Sequence, residues 1–172
     1  MPVPVACEVC LTGRYTPHGP GLYRCRSCGS QVTRDELSVQ PDEQVTVHAG
    51  VLQVLHVPPG HEVITPSRRS QAAHLGASLA LALRANPARP VFAPEDVRTA
   101  QELLTDLDAD AEGPWVLSAE QLAVLAQAME VRYALLPSAA RAHPDCDAQV
   151  RTALARATGA PPRSQRPRRA RR

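Results

Sequence analysis

Apolar and polar positions fall into three textures along the chain, and each predicts a different kind of element. From Gln44 to Pro66 the segment "QVTVHAGVLQVLHVPPGHEVITP" is dense in β-branched residues and broken at "AG" and "PPG". That pattern predicts three short strands near 44–48, 51–57 and 61–65. Beyond it the apolar spacing becomes helical. "SRRSQAAHLGASLALALRA" predicts a helix with Ser67 as N-cap and a stop at Asn86-Pro87. Its stripe is Ala72, Leu75, Leu79 and Leu83, yet nearly every position from 72 to 83 is small or apolar, so this helix is expected to be central and packed on more than one side.

Three further helical segments follow. "PEDVRTAQELLTDLD" places Pro94, Glu95 and Asp96 in a first turn and a stripe on Val97, Ala100, Leu104 and Leu107. "SAEQLAVLAQAMEVRYALL" opens with a capping box of Ser118 and Gln121 and ends at Pro137, with Leu122, Leu125, Met129, Tyr133 and Leu136 as core positions. A fourth helix is expected from Asp145 to Ala157 with Gly159 as its stop. Cys146 shares a face with Val150, Ala153 and Ala157, where a thiol serves as a small buried apolar group; a nucleophile helped by His143 and Asp145 would need a pocket that the pattern does not provide.

The third texture, at the N-terminus, is neither strand-rich nor helical: "CEVCLTGRYTPHGPGLYRCRSC" from Cys7 to Cys28 holds two CxxC pairs. Between them Arg14, Tyr15 and Thr16 precede, and Leu22, Tyr23 and Arg24 follow, a turn-forming centre "PHGPG", the pattern of a β-hairpin with a broad tip. A two-residue gap lets a tight turn aim both sulfurs of a pair at one ion, so two pairs supply a tetrahedral site. Gly29 directly after Cys28 suits a knuckle whose backbone bends to point amides at sulfur; the first pair has Leu11 there, with Gly13 close behind.

Residues 7–28 resemble a zinc ribbon, the C-x2-C…C-x2-C type found in transcription factors, RNA polymerase subunits and ribosomal proteins. The resemblance implies Cys7, Cys10, Cys25 and Cys28 as ligands of a structural zinc ion. A rubredoxin-like iron centre uses the same four thiolates, so the ligand set leaves iron open as well. Neither pair opens a helix in a βαβ setting, which argues against a thioredoxin-like redox centre. A ligand set of four cysteines leaves no open position for catalysis. His18 at the hairpin tip is expected to be an exposed turn histidine. His48, His56 and His61 lie on neighbouring predicted strands and raise the question of a second metal site, but the expectation is strand-edge histidines without metal.

Composition and charge narrow the function classes. Aromatic residues make up 3% of the chain, with Phe92 and Trp115 alone of their kinds, so the core must be built from Leu, Val and Ala. All 19 basic residues are arginine. The net charge of +2 conceals a segregation: residues 1–34 carry Arg14, Arg24, Arg26 and Arg34 against Glu8, residues 35–66 carry five acids and no arginine, and the last twelve residues carry six arginines. The opening "MPVPVACEVC" lacks a charged start followed by an apolar run, so a cytoplasmic protein with reduced thiols is expected. The most apolar window, Ala72 to Leu83, is shorter than the roughly 20 residues a membrane-spanning helix needs.

These observations predict an α+β chain: an N-terminal zinc-ribbon β-hairpin (1–34), a short β segment (35–66), a bundle of three to four helices (67–159) and a disordered Arg-rich tail (160–172). The leading functional expectation is a small, non-enzymatic, structural-zinc protein that contacts nucleic acid or a nucleic-acid machine through its basic ends, with Arg14, Tyr15, Tyr23, Arg24 and Arg26 on the ribbon as contact residues. The alternative is an interaction module in which zinc only stabilises the fold and the Ala/Leu helices dock on a protein partner or a second copy. No phosphate-binding glycine loop, HExxH or GxSxG motif is present.

Overall fold

A computed structural model describes residues 3–37, 39–48, 50–66, 68–88, 90–109 and 113–159. The chain is α+β and divides into two compact units, one up to Pro59 and one from Gly60 onward. The expected tail (160–172) and the expected cap Ser67 lie outside the described residues.

The first unit holds two three-stranded antiparallel sheets. Strands β2 (Tyr15–Gly19), β3 (Leu22–Cys25) and β4 (Gln31–Thr33) lie in chain order. In the other sheet β6 (Val51–His56) sits between the two-residue strand β1 (Val3–Pro4) and β5 (Glu43–His48). The β5–β6 hairpin runs from Glu43 opposite His56 to His48 opposite Val51. Gly50 closes its turn at φ +72°, a conformation that glycine adopts without steric penalty. A single 3-10 turn (Arg34–Glu36) follows β4, and Glu36 folds back to accept from the Thr33 amide and hydroxyl at 2.7 and 2.8 Å. The core cluster is small, Cys7, Tyr15, Cys25, Val32, Leu37 and Leu52, with Leu55 and Val57 buried besides.

In the second unit a two-stranded antiparallel sheet, β7 (His61–Ile64) with β8 (Trp115–Ser118), accompanies α1 (Arg69–Ala85), α2 (Pro94–Ala109), α3 (Ala119–Leu135), the short α4 (Ala139–Ala142) and α5 (Pro144–Ala157). Its core is continuous, with Ile64, Leu75, Leu79, Leu103, Leu122, Leu125, Met129 and Val150 fully buried. Helix α1 is the central one, packed on both α2 and α3. At Gly76 a Cβ would meet Leu104 and Asp108 at 3.7–3.8 Å, an ordinary contact distance, so α2 packs closely here with room for one more methyl. The Ser118–Gln121 capping box forms as the motif requires, with bonds of 2.9 and 3.2 Å. Asn86 ends α1, and its Oδ1 accepts from the Val91 and Phe92 amides, pinning the turn that buries Phe92.

Several details differ from the pattern. The third predicted strand, β7, leaves the β5–β6 hairpin and pairs in the second unit with β8, which was not anticipated: "WVLS" is too short to show a period, and only its alternation of buried Trp115 and Leu117 marks it as a strand. The unit boundary therefore falls at Pro59, inside the expected β segment. Helix α1 begins after Arg68, and α4 interrupts the run from Pro137 to Asp145. Leu136, expected in the α3 core stripe, lies just past the helix end and is 46% exposed.

Candidate metal centre

The four paired cysteines converge. Cys7, Cys10, Cys25 and Cys28 place all their sulfurs within 4.8 Å of one another, the sole grouping of potential metal ligands among the described residues. The Cys7–Cys28 and Cys10–Cys25 sulfurs are 3.6 and 3.7 Å apart. Four sulfurs at about 2.3 Å from one tetrahedral ion stand about 3.8 Å from each other, so the cluster has the size a four-thiolate metal needs. None of the four cysteines forms a disulfide.

Two knuckles with matching backbone geometry hold these sulfurs. In the first, the Leu11 amide bonds the Cys7 carbonyl at 2.8 Å; in the second, the Gly29 amide bonds the Cys25 carbonyl at 3.1 Å. Both residues turn left-handed, Leu11 at φ +59° and Gly29 at φ +78°. Glycine occupies such a position without cost, whereas a leucine pays a steric penalty of about 1 kcal/mol. The bends aim amides at sulfur: Gly13 N donates to Cys10 Sγ at 3.3 Å and Ser27 N to Cys25 Sγ at 3.4 Å. Gly13 has a second reason to be glycine, because a Cβ there would run into the Cys25 sulfur and stand 2.9 Å from the Cys10 sulfur and from the Ser27 hydroxyl oxygen.

The surroundings favour the thiolate at Cys7 and Cys10, whereas at Cys25, against the Cys28 amide, burial and the bonds to Cys7 and Cys10 raise the thiol. The Ser30 hydroxyl lies 3.1 Å from both Cys7 Sγ and Cys28 Sγ. Hydrogen bonding from Ser30, helped by the Cys10 and Val9 amides and opposed by burial, lowers the Cys7 thiol to about 5. Cys10 is lowered as well, chiefly by the Gly13 amide. Tyr15 packs its ring into the small core at 2% exposure, and its hydroxyl is raised above the usual phenol range by its bond to Cys7 and by burial. Tyr15 thus serves the metal centre rather than offering a stacking face, and Tyr23 is half-buried against the same core.

The ribbon arginines behave differently from the tyrosines. Arg14, Arg24 and Arg26 are all exposed, and among the described residues none takes part in an ion pair. Thr16 faces Arg24 across β2–β3, and Arg24 faces Gln31 across β3–β4, so these three form a polar row on the sheet face opposite Tyr15 and Cys25. His18 is exposed at the hairpin tip, as expected.

Among the described residues the remaining titratable side chains do not assemble into a second metal group. His48 and His56 occupy opposite ends of the β5–β6 hairpin, His56 Nδ1 lies 2.9 Å from Asp42, and His61 belongs to the other unit. Cys146 is buried beside Val150 and Ala153, and burial pushes its thiol up to about 11, which keeps it neutral. One polar group escaped the sequence pattern. His74, inside α1 and 4% exposed, has Nε2 3.3 Å from the Tyr133 hydroxyl and its ring 4.7 Å from that of His143. A single histidine in a run of small apolar residues gives no signal of such partners. Among the described residues no helix is long and apolar enough to cross a membrane.

No protein-family model, curated protein or solved structure matches the chain.

Proposed function

We propose that the chain is a small non-enzymatic protein built around a structural zinc ion, whose ribbon contacts nucleic acid through Arg14, Arg24 and Arg26. The carrying observation is the pairing of a closed four-thiolate centre with an adjacent arginine face lacking carboxylate partners. Zinc suits the site because it has no geometric preference beyond the tetrahedron that four thiolates impose, and it needs no redox chemistry to act as a cross-link. A core of six residues, two of them ligands, would otherwise be too small to hold the unit together. Arginine in turn suits phosphate, which its planar fork binds through two hydrogen bonds.

Two measurements test this reading. Native mass spectrometry with elemental analysis is expected to find one zinc per chain, removed by a strong chelator; iron would overturn the zinc assignment. Fluorescence anisotropy of a single-stranded oligonucleotide is expected to show binding that weakens steeply with salt; binding that is absent or indifferent to salt would overturn the nucleic-acid role. A second reading is favoured by Val9 and Leu11, 72% and 76% exposed on the first knuckle, which suit a protein partner. The helices offer less to such a partner, because α1 spends its apolar positions Ala72, Leu75, Leu79 and Ala82 inside its own unit.

A further inference from the structure

We infer that the cleft beside the second knuckle, lined by Thr16, His18, Arg24 and Arg26 together with Cys25 and Cys28 of the four-cysteine cluster, is a binding site for a phosphate group, and that it reads the phosphate rather than the base. The inference rests on the nucleic-acid reading above and narrows it to one place and one mode. The cleft measures about 410 Å³, enough for a phosphate with part of its sugar.

Its arginines are positioned, and among the described residues no carboxylate lies within ion-pair distance of Arg24 or Arg26. Arg24 lies against the second knuckle, its Nη2 3.4 Å and Nε 3.7 Å from where a Cβ on Gly29 would stand, so the guanidinium packs over the glycine that makes the bend. Beneath it, the Thr16 hydroxyl donates to the Arg24 carbonyl at 3.2 Å and ties the two strands together. Four thiolates on a divalent ion leave about two negative charges. Arg14, Arg24 and Arg26 match that charge together with Glu8, so the attraction for an oxyanion rests on the Arg24 and Arg26 forks at the cleft rather than on a net positive field. Neither tyrosine offers a base a stacking platform, because Tyr15 is enclosed and Tyr23 half-buried, and the exposed His18 ring is the one aromatic group lining the cleft. Recognition is assigned to the phosphate through the Arg24 and Arg26 forks, indifferent to base identity.

The test uses the full chain reconstituted with zinc, followed by amide NMR during titration with inorganic phosphate, and separately with a single-stranded oligomer of about ten nucleotides and its abasic counterpart. Phosphate is expected to move the amides of Thr16, Arg24 and Gly29, R24Q to weaken it about tenfold, and both oligomers to move the same amides with equal affinity. R26Q and the measured zinc content guard against R24Q acting by disturbing the knuckle: R26Q must weaken phosphate with zinc retained. If the oligomers bind while these amides stay still, the cleft inference falls and the nucleic-acid reading survives. If phosphate moves the amides but neither oligomer does, the cleft stands as a site for free phosphate and the nucleic-acid reading falls. A marked preference for the base-bearing oligomer overturns the phosphate-only mode.

Discussion

The two units reach a folded state by different means. The second encloses a continuous core of Leu, Val, Ala and Met side chains from four helices and a two-stranded sheet, and its charges pair locally: Arg151 with Glu130 and Asp147, Arg98 with Glu102, Arg156 with Glu62. The first has a core cluster of six buried residues, two of them cysteines, and its Glu36, Glu43 and Asp42 bond to backbone amides and a histidine while its ribbon arginines take part in no ion pair among the described residues. A four-cysteine cluster of the size a metal needs stands in the smaller unit where the larger one has apolar mass.

The sharpest way to break this contrast is to remove the metal. Chelation, or Cys25→Ser, is expected to unfold the first unit, since binding a structural zinc ion is worth about 10 kcal/mol, while leaving the second intact. Trp115 lies in the second unit, so its fluorescence should stay native while the amide signals of residues 3–37 collapse. Simultaneous loss of both would show that the units are not independent in stability.

The complementary change comes next in size. Leu125 is fully buried in the second core, and Leu125→Ala should destabilise that unit by about 2–5 kcal/mol. Thermal unfolding followed by Trp115 would report the loss, with zinc content unchanged.

Acid should separate the units in another way. Burial foremost, then the charges of His143 and Arg132, lower His74 from 6.5 to about 4, with Asp147 opposing. A histidine depressed in the folded state contributes stability that is complete above its unfolded value and is lost as pH falls from about 6.5 towards 4, here by up to about 3 kcal/mol. His74→Phe should flatten that part of the pH dependence of Trp115-monitored stability. An unchanged slope would place the acid sensitivity elsewhere.

The smallest effect is expected at the knuckles. Leu11→Gly relieves a left-handed leucine and should stabilise the first unit by about 1 kcal/mol, seen as slower metal loss to a competing chelator. The same variant removes an exposed apolar side chain, so weakened binding of a protein partner would support the second functional reading.

Local chemistry made much of the molecule legible in advance. The helices of the second unit, the Ser118–Gln121 cap, the β5–β6 hairpin and the metal ligands all follow from spacing, because a helical stripe, a capping box and a CxxC turn are each set within a few residues. The sequence by itself thus determined an α+β chain with a four-cysteine centre at its start and a Leu/Ala core in its second half.

Only the tertiary structure decided what joins what. That β7 pairs with β8 across more than fifty residues depends on helices packing between them, which no local pattern encodes. That Tyr15 turns inward to Cys7 while Arg24 turns outward over Gly29 follows from sheet register, in which a shift of one residue exchanges the two faces. His74 meets Tyr133 and His143 only because α1 packs on α3. Residue type and spacing determine which groups are available; the path of the backbone through space determines which of them touch.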